Sequence, residues 1–199
     1  MSEKIRCPWA GNTPIYLEYH DNEWGRPVYD DGRLFEMLIL EGMQAGLSWI
    51  TVLNKREAFR EAFDGFDPNQ IILYGDAKIQ ELMANERIIR NRLKINAVIT
   101  NARAFLEVTE KYGCFNELIW EYVGNKPVFG NWERIEEIPA TTPISDKISK
   151  DLKKMGFKFV GSTIIYSFMQ AVGMVNDHIT ACFVYEELIK GQHHCQKSH

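Results

Sequence analysis

Four side chains able to bind a single metal ion stand at opposite ends of this chain. Cys7 and His20 lie near the start; His178 and Cys182 lie near the end, in the run Asn176-Asp177-His178-Ile179-Thr180-Ala181-Cys182. A His and a Cys four apart share one face of a helix, so the spacing predicts a helix that carries both. Two thiolates with two imidazoles form a tetrahedral set that zinc prefers. A metal held this way pins the N-terminal segment against the C-terminal one, and it constrains the fold more than any local pattern does. Spacing alone leaves the bland alternative open, because Cys and His also scatter through chains that bind nothing. Cys7 and His20, with twelve residues between them, match no short metal loop. His193, His194 and Cys195 are rival ligands, but they sit in a polar tail, residues 188–199, that composition predicts to be disordered.

The chain has 199 residues, 45% of them apolar, enough for one domain with a full core. We place that domain at residues 1–187, in two helical lobes. No apolar run reaches the roughly 18 residues a membrane span needs. The first residues lack the long apolar stretch of a secretory signal. Four irregularly spaced Cys fit reduced thiols better than a disulfide framework. These features predict a cytoplasmic protein, and we expect a monomer. The net charge of −4 is not that of a nucleic-acid coat. Two stretches are locally basic, however. Residues 86–103 hold five Lys and Arg against Glu86, and residues 147–158 hold five Lys against Asp151. Each reads as a solvated helix face or as a phosphate-binding patch.

The pattern is helical nearly throughout, so the fold class predicted is all-α. Leu34 to Leu40 is apolar on almost every side, as in a central buried helix, with Asp30 or Asp31 as its cap. Ser48 caps a predicted helix running through Trp49, Val52, Leu53, Phe59 and Phe63. Asp67-Pro68 opens another. Further helices are predicted at about 77–84, 88–111 and 116–123. Residues 124–143, with their Gly, Pro and Thr, read as a long surface connection.

Towards the end, Ser145 is read as the cap of a helix that stops at Gly156. The turn Phe157–Gly161 then leads straight into a second helix from Ser162. This helix-hairpin-helix, about residues 145–172, suits a DNA backbone. Glycines allow close approach of N–H groups, the second helix offers its positive end, and Lys158 adds charge. A turn between helices that binds nothing has the same outline.

Glu41 falls three residues after Leu38 and seven after Leu34, on the core-facing stripe of its helix. A carboxylate there must be paired, neutralised or waiting for a ligand. Gly42, Ala45 and Gly46 leave room beside it. Trp9, Tyr16, Tyr19, Trp24, Tyr29, Phe35 and Trp49 crowd the same quarter of the chain. Singly, most suit a core. Around one carboxylate, aromatic faces make a receptor for a flat cationic ring.

The runs Tyr19-His20-Asp21-Asn22-Glu23-Trp24-Gly25, Leu40 to Trp49 and Gly156 to Gly161 resemble the 3-methyladenine DNA glycosylase I family. So do Tyr166 to Ala171 and Asn176-Asp177-His178. The resemblance spans about residues 5–185. It implies a helix-hairpin-helix glycosylase fold whose N- and C-terminal segments are joined by one structural zinc ion on Cys7, His20, His178 and Cys182. It implies binding of alkylated double-stranded DNA and release of 3-methyladenine from it by hydrolysis of the N-glycosidic bond, after the base is flipped into a pocket. By resemblance Glu41 accepts from the adenine edge, Trp49 stacks on the ring, and Trp9, Tyr16, Tyr19 and Trp24 line the pocket. Leu47 wedges into the DNA, with Gly156, Lys158 and Gly161 at the backbone.

Asp177 follows the hairpin by sixteen residues and is read as structural, capping a helix that bears His178. No lysine stands at a lyase position, so the reaction is expected to be monofunctional. Two rivals follow from the same residues: a hydrolase using zinc-bound hydroxide, and a non-enzymatic sensor of DNA damage.

Overall fold

A computed structural model of the chain describes residues 4–195, and they form eleven α-helices with one two-residue strand pair. No helix among them is long and apolar enough to cross a membrane. The helices α1 (Pro14–Asn22), α2 (Asp31–Gln44), α3 (Trp49–Leu53) and α4 (Arg56–Ala62) form the first part. Next come α5 (Pro68–Ile71), α6 (Asp76–Ala84), α7 (Arg92–Tyr112) and α8 (Phe115–Glu121). The last are α9 (Pro143–Lys154), α10 (Ser162–Ala171) and α11 (Phe183–Cys195).

Helix α2 is the axis. Every residue from Leu34 to Met43 is buried, and α2 packs against α3, α7, α8 and α10. Burying each large apolar side chain contributes about 1.5–3 kcal/mol. Its two leading aspartates divide their labour. Asp30 caps α2 by accepting from the Arg33 N–H at 2.8 Å. Asp31 reaches across to cap α8, accepting from the N–H groups of Phe115 and Asn116 at 2.9 and 2.7 Å.

Several boundaries differ from the sequence reading. The helix expected from Ser48 through Phe63 breaks at Asn54 into α3 and α4, and Ser48 makes no side-chain cap. Helix α7 begins at Arg92, because the Asn91 side chain accepts from the N–H groups of Leu93 and Lys94. The cap of α9 is Thr142, not Ser145. Pro143 follows at the first helical position, and Ser145 completes a capping box with Thr142. Helix α11 runs through Cys195, past residue 187 where a disordered tail was expected; the last four residues lie outside those described.

The connection 124–143 is more ordered than its composition suggests. Within it β1 (Val128–Phe129) pairs in parallel with β2 (Val175–Asn176), in the register Val128 to Val175. Ile135 and Ile138 follow β1 in this connection and reach the same cavity as Glu41 and Gln170.

Candidate functional site

Cys7, His20, His178 and Cys182 converge. All four are buried, and their ligand atoms lie within 4.8 Å of one another. Cys7 Sγ and Cys182 Sγ each lie 3.4 Å from His178 Nδ1, and Cys182 Sγ lies 3.6 Å from His20 Nε2. A tetrahedral zinc with Zn–S of about 2.3 Å and Zn–N of about 2.0 Å holds sulfur and nitrogen about 3.5 Å apart. The outer ring nitrogens are engaged as ligating imidazoles require. His20 Nδ1 meets Asp21 Oδ1 at 2.8 Å, and His178 Nε2 meets the Trp24 carbonyl at 3.0 Å. Arg6 forks onto Asp21 in turn. The hydrogen bond between the thiols raises the pKa of Cys7, where burial adds to it, and lowers that of Cys182 against the opposing effect of burial, with help from His178 and His20, so Cys182 ionises first.

The four residues therefore fit a metal, but not on the scaffold the spacing predicts. His178 and Cys182 precede α11 and lie in a turn, with the Cys182 N–H donating to the Ile179 carbonyl at 2.8 Å. The backbone is held out of a helix by the Thr180 N–H bonding to Trp132 O at 2.8 Å and by the Asn176 side chain bonding to the His178 N–H.

Aromatic rings stack outward from this centre. The Trp9 ring lies 5.2 Å from His20, and the Trp24 ring 4.6 Å from His178, both edge-on. Trp9 also meets Trp24 at 4.9 Å and Tyr16 at 5.8 Å. Tyr19 lies 5.4 Å from Trp49. Beyond them opens a cavity of about 470 Å³, in the range of small-molecule sites. All five aromatics expected at a base pocket line it: Trp9, Tyr16, Tyr19, Trp24 and Trp49.

Glu41 is there too. It is 4% exposed, and burial pushes its carboxyl up to about 8. Three polar atoms buried in this lining have no hydrogen-bond partner among the described residues: Glu41 Oε2, Tyr19 Oη and Trp49 Nε1. Unsatisfied buried groups are costly, and their gathering at one cavity marks a ligand site. Burial, and then the nearby Glu41, also hold the Tyr19 hydroxyl well above its usual range.

The same cavity takes Gln44, Ser167, Gln170, Ile135 and Ile138, none of which the sequence reading singled out. Gln44 lies one turn beyond Glu41. Ser167 and Gln170 are three apart on α10, the polar pair of its otherwise apolar last half, which is a readable signal. Ile135 and Ile138 carry none, since their segment has no periodicity.

The turn between α9 and α10 has the expected outline. Gly156 sits at φ +96°, a left-handed backbone that favours glycine after a helix. Gly161 precedes α10 without capping it through a side chain. Lys158 is exposed, but its backbone is committed: its N–H donates to Asn101 Oδ1 at 2.7 Å, and its carbonyl accepts from Asn101 Nδ2 at 3.0 Å. Leu47 is 42% exposed, in the loop between α2 and α3, beside Thr163 and Ile164 at the start of α10. The basic stretch 86–103 is largely engaged within the fold. Lys94 is buried with Nζ donating to the carbonyls of Met43 and Ala45, Arg87 pairs with Glu61, and Arg90 pairs with Glu86.

Asp177 caps no helix. It is buried and accepts from the Trp132 indole N–H, the Tyr166 hydroxyl and the Gln170 amide.

Residues 9–185 match the family model described as methyladenine glycosylase. The chain is 49% identical over 180 residues to DNA-3-methyladenine glycosylase 1 of Escherichia coli K12, covering 90% of this chain and 96% of that protein. A crystal structure of 3-methyladenine DNA glycosylase I superposes with a TM-score of 0.87 at 52% identity, covering 90% of this chain and 98% of that one. A Staphylococcus aureus enzyme, solved for its recognition of 3-methyladenine, also gives 0.87 at 37% identity, covering 89% and 95%.

Proposed function

The chain belongs to the methyladenine glycosylase family and excises 3-methyladenine from DNA; we propose how its residues divide that work. The observation that carries the proposal is Glu41, a buried carboxyl with a buried oxygen unpartnered, facing an aromatic cavity of about 470 Å³, roomy enough for a nucleobase.

Methylation at N3 makes the base cationic and weakens its glycosidic bond, so the pocket must recognise charge more than supply it. Glu41 stays protonated in the unliganded pocket and ionises when a cationic base enters, accepting from the ring edge. Trp49 stacks on the base, and Trp9, Tyr16, Tyr19 and Trp24 surround it with π faces that attract a cation. Each stacked contact contributes roughly 1–3 kcal/mol. Neutral adenine gains the stacking but neither the pairing with an ionised Glu41 nor the cation–π attraction, and it is a poor leaving group. Bond cleavage by water completes the reaction, with no lyase step.

The base reaches the pocket by leaving the duplex. Leu47 fills the gap it leaves. The α9–α10 hairpin, with Gly156, Lys158 and Gly161, grips the backbone as a helix-hairpin-helix. Because the Lys158 N–H is taken by Asn101, the phosphate contact falls to the Lys158 ammonium and the first N–H groups of α10.

Cys7, His20, His178 and Cys182 hold one zinc ion in a structural role. Four protein ligands leave no open position for a metal-bound hydroxide, which disfavours the metallohydrolase. The clamp keeps Trp9 and Trp24 in place through their contacts with His20 and His178. The protein acts as a cytoplasmic monomer.

The test is release of 3-methyladenine from methylated duplex DNA by the wild type and by Glu41→Gln. A loss of 100-fold or so in kcat/KM with DNA binding retained is expected. Unchanged release by the variant overturns the assignment of Glu41.

A further inference from the structure

Gln170 lines the cavity from α10, and its amide is not free to turn. Its Nε2 donates to Asp177 Oδ2 at 2.9 Å. Asp177 is only 2% exposed and takes two more donors: the Tyr166 hydroxyl on Oδ2 at 2.6 Å and the Trp132 indole N–H on Oδ1 at 2.7 Å. An indole nitrogen can only donate. A reversed Gln170 would set its carbonyl oxygen against Oδ2, two acceptors facing each other with the Tyr166 proton already used. The partners therefore fix which end of the amide points away from Asp177: the oxygen Oε1. No residue among those described donates to it.

We propose that Gln170 is a specificity-determining residue of the base pocket, presenting a fixed carbonyl acceptor, and that Asp177 is its positioning residue. The inference rests on reading this cavity as the base pocket. An acceptor locked in one orientation favours a purine that brings a positive charge and an N–H donor. It disfavours one that brings a carbonyl, because two acceptors then meet without a proton between them. In chemical terms, Gln170 selects methylated purines that turn an amino group toward it over those that turn an oxo group toward it. The lock is made outside the cavity, so the pocket wall needs no reorganisation when the base arrives.

The Asp177 network also ties the pocket to the 124–143 connection. Trp132 comes from that segment, and a Cβ on Gly130 would meet Trp132 Nε1 at 2.0 Å and Asp177 Oδ1 at 2.7 Å. The acceptor is thus held by three elements: α10, the turn before the Cys182 ligand, and the connection that places Ile135 and Ile138 on the cavity.

The test compares wild type and Gln170→Met, which keeps the length and removes the acceptor. Release of 3-methyladenine and of 3-methylguanine is followed from the same methylated duplex, with melting temperature as the control for folding. The expected result is about a tenfold fall in kcat/KM for 3-methyladenine with less than a twofold fall for 3-methylguanine. Asp177→Asn, which replaces an acceptor oxygen by a donor and lets the amide turn, lowers the same ratio while retaining Gln170. An equal fall for both bases, or an unchanged ratio in both variants, overturns the inference. A wild type that releases no 3-methyladenine overturns the pocket reading itself.

Discussion

Asn101 and Lys158 exchange two hydrogen bonds, at 2.7 and 3.0 Å, and through them helix α7 holds the turn between α9 and α10. Two turns earlier on the same face of that helix, Lys94 holds the carbonyls at the end of α2. The long helix therefore sets the spacing between the loop that carries Leu47 and the hairpin that carries Lys158. Asn101→Leu keeps the branched shape with somewhat more bulk and removes both hydrogen bonds. It is expected to cost about 1–3 kcal/mol of stability and to raise the KM for methylated duplex about tenfold. Binding of free 3-methyladenine, measured by calorimetry, stays unchanged. Weakened binding of the free base would show that Asn101 shapes the pocket instead.

Glu41 makes stability depend on pH. Below the ordinary carboxylate range its carboxyl is protonated in both the folded and the unfolded chain. Between about 4.5 and about 8 the unfolded chain loses that proton and the folded one keeps it, because burial raises the folded value. Stability from this group is thus complete at low pH and declines as pH rises through the window, by up to roughly 5 kcal/mol above pH 8. Glu41→Gln removes the dependence. Melting curves from pH 5 to 9 should converge at the acid end and separate at the alkaline end, with the variant the more stable there. Parallel curves would mean that Glu41 is already ionised in the free pocket.

What the sequence makes readable follows from periodicity. The intervals from Leu34 and Leu38 to Glu41 place a carboxylate on a buried stripe, and the structure buries it there. The Cys and His residues are readable as a set because their chemistry is specific, yet their scaffold is not. An interval of four residues suits a helix, while His178 and Cys182 reach the same relation from a turn held by Trp132 and Asn176. The connection 124–143 hides its role for a related reason. Its order comes from a strand pair of two residues, too short to leave an alternating pattern, and from long-range contacts of Trp132. Ile135 and Ile138 reach the cavity from that segment. Asp177 was misplaced because capping is a local rule, and its three partners lie 7 to 45 residues away.

The proposed wedge role of Leu47 predicts that DNA engagement and base recognition can be separated. It is exposed on the α2–α3 loop and does not line the aromatic cavity. Leu47→Ala should therefore leave binding of free 3-methyladenine within twofold of the wild type. Release from duplex DNA should fall by about 10-fold, since a flipped nucleotide costs a few kcal/mol in lost stacking that the wedge offsets. Release from methylated single strands, where there is little stack to replace, should fall much less. Equal losses on both substrates would remove the wedge role.

Gly25 tests whether the proposed metal centre supports the pocket. Its backbone sits at φ +75°, which an L side chain adopts only with strain, and a Cβ there would lie 2.9 Å from His178 Cδ2 and Nε2. His178 Nε2 is the atom bonded to the Trp24 carbonyl, so Gly25→Ala pushes the imagined methyl into the contact that orients a ligand. The backbone penalty alone is about 1–2 kcal/mol, and disturbing such an outer contact typically weakens metal binding 10- to 100-fold. Because the Trp24 ring packs on His178 at 4.6 Å, the pocket should loosen with it. The expected outcome is zinc loss at a lower chelator concentration, a lower melting temperature that excess zinc partly restores, and weaker binding of free 3-methyladenine that recovers with the metal. If zinc restores stability and base binding does not follow, the clamp closes the fold without holding the pocket wall.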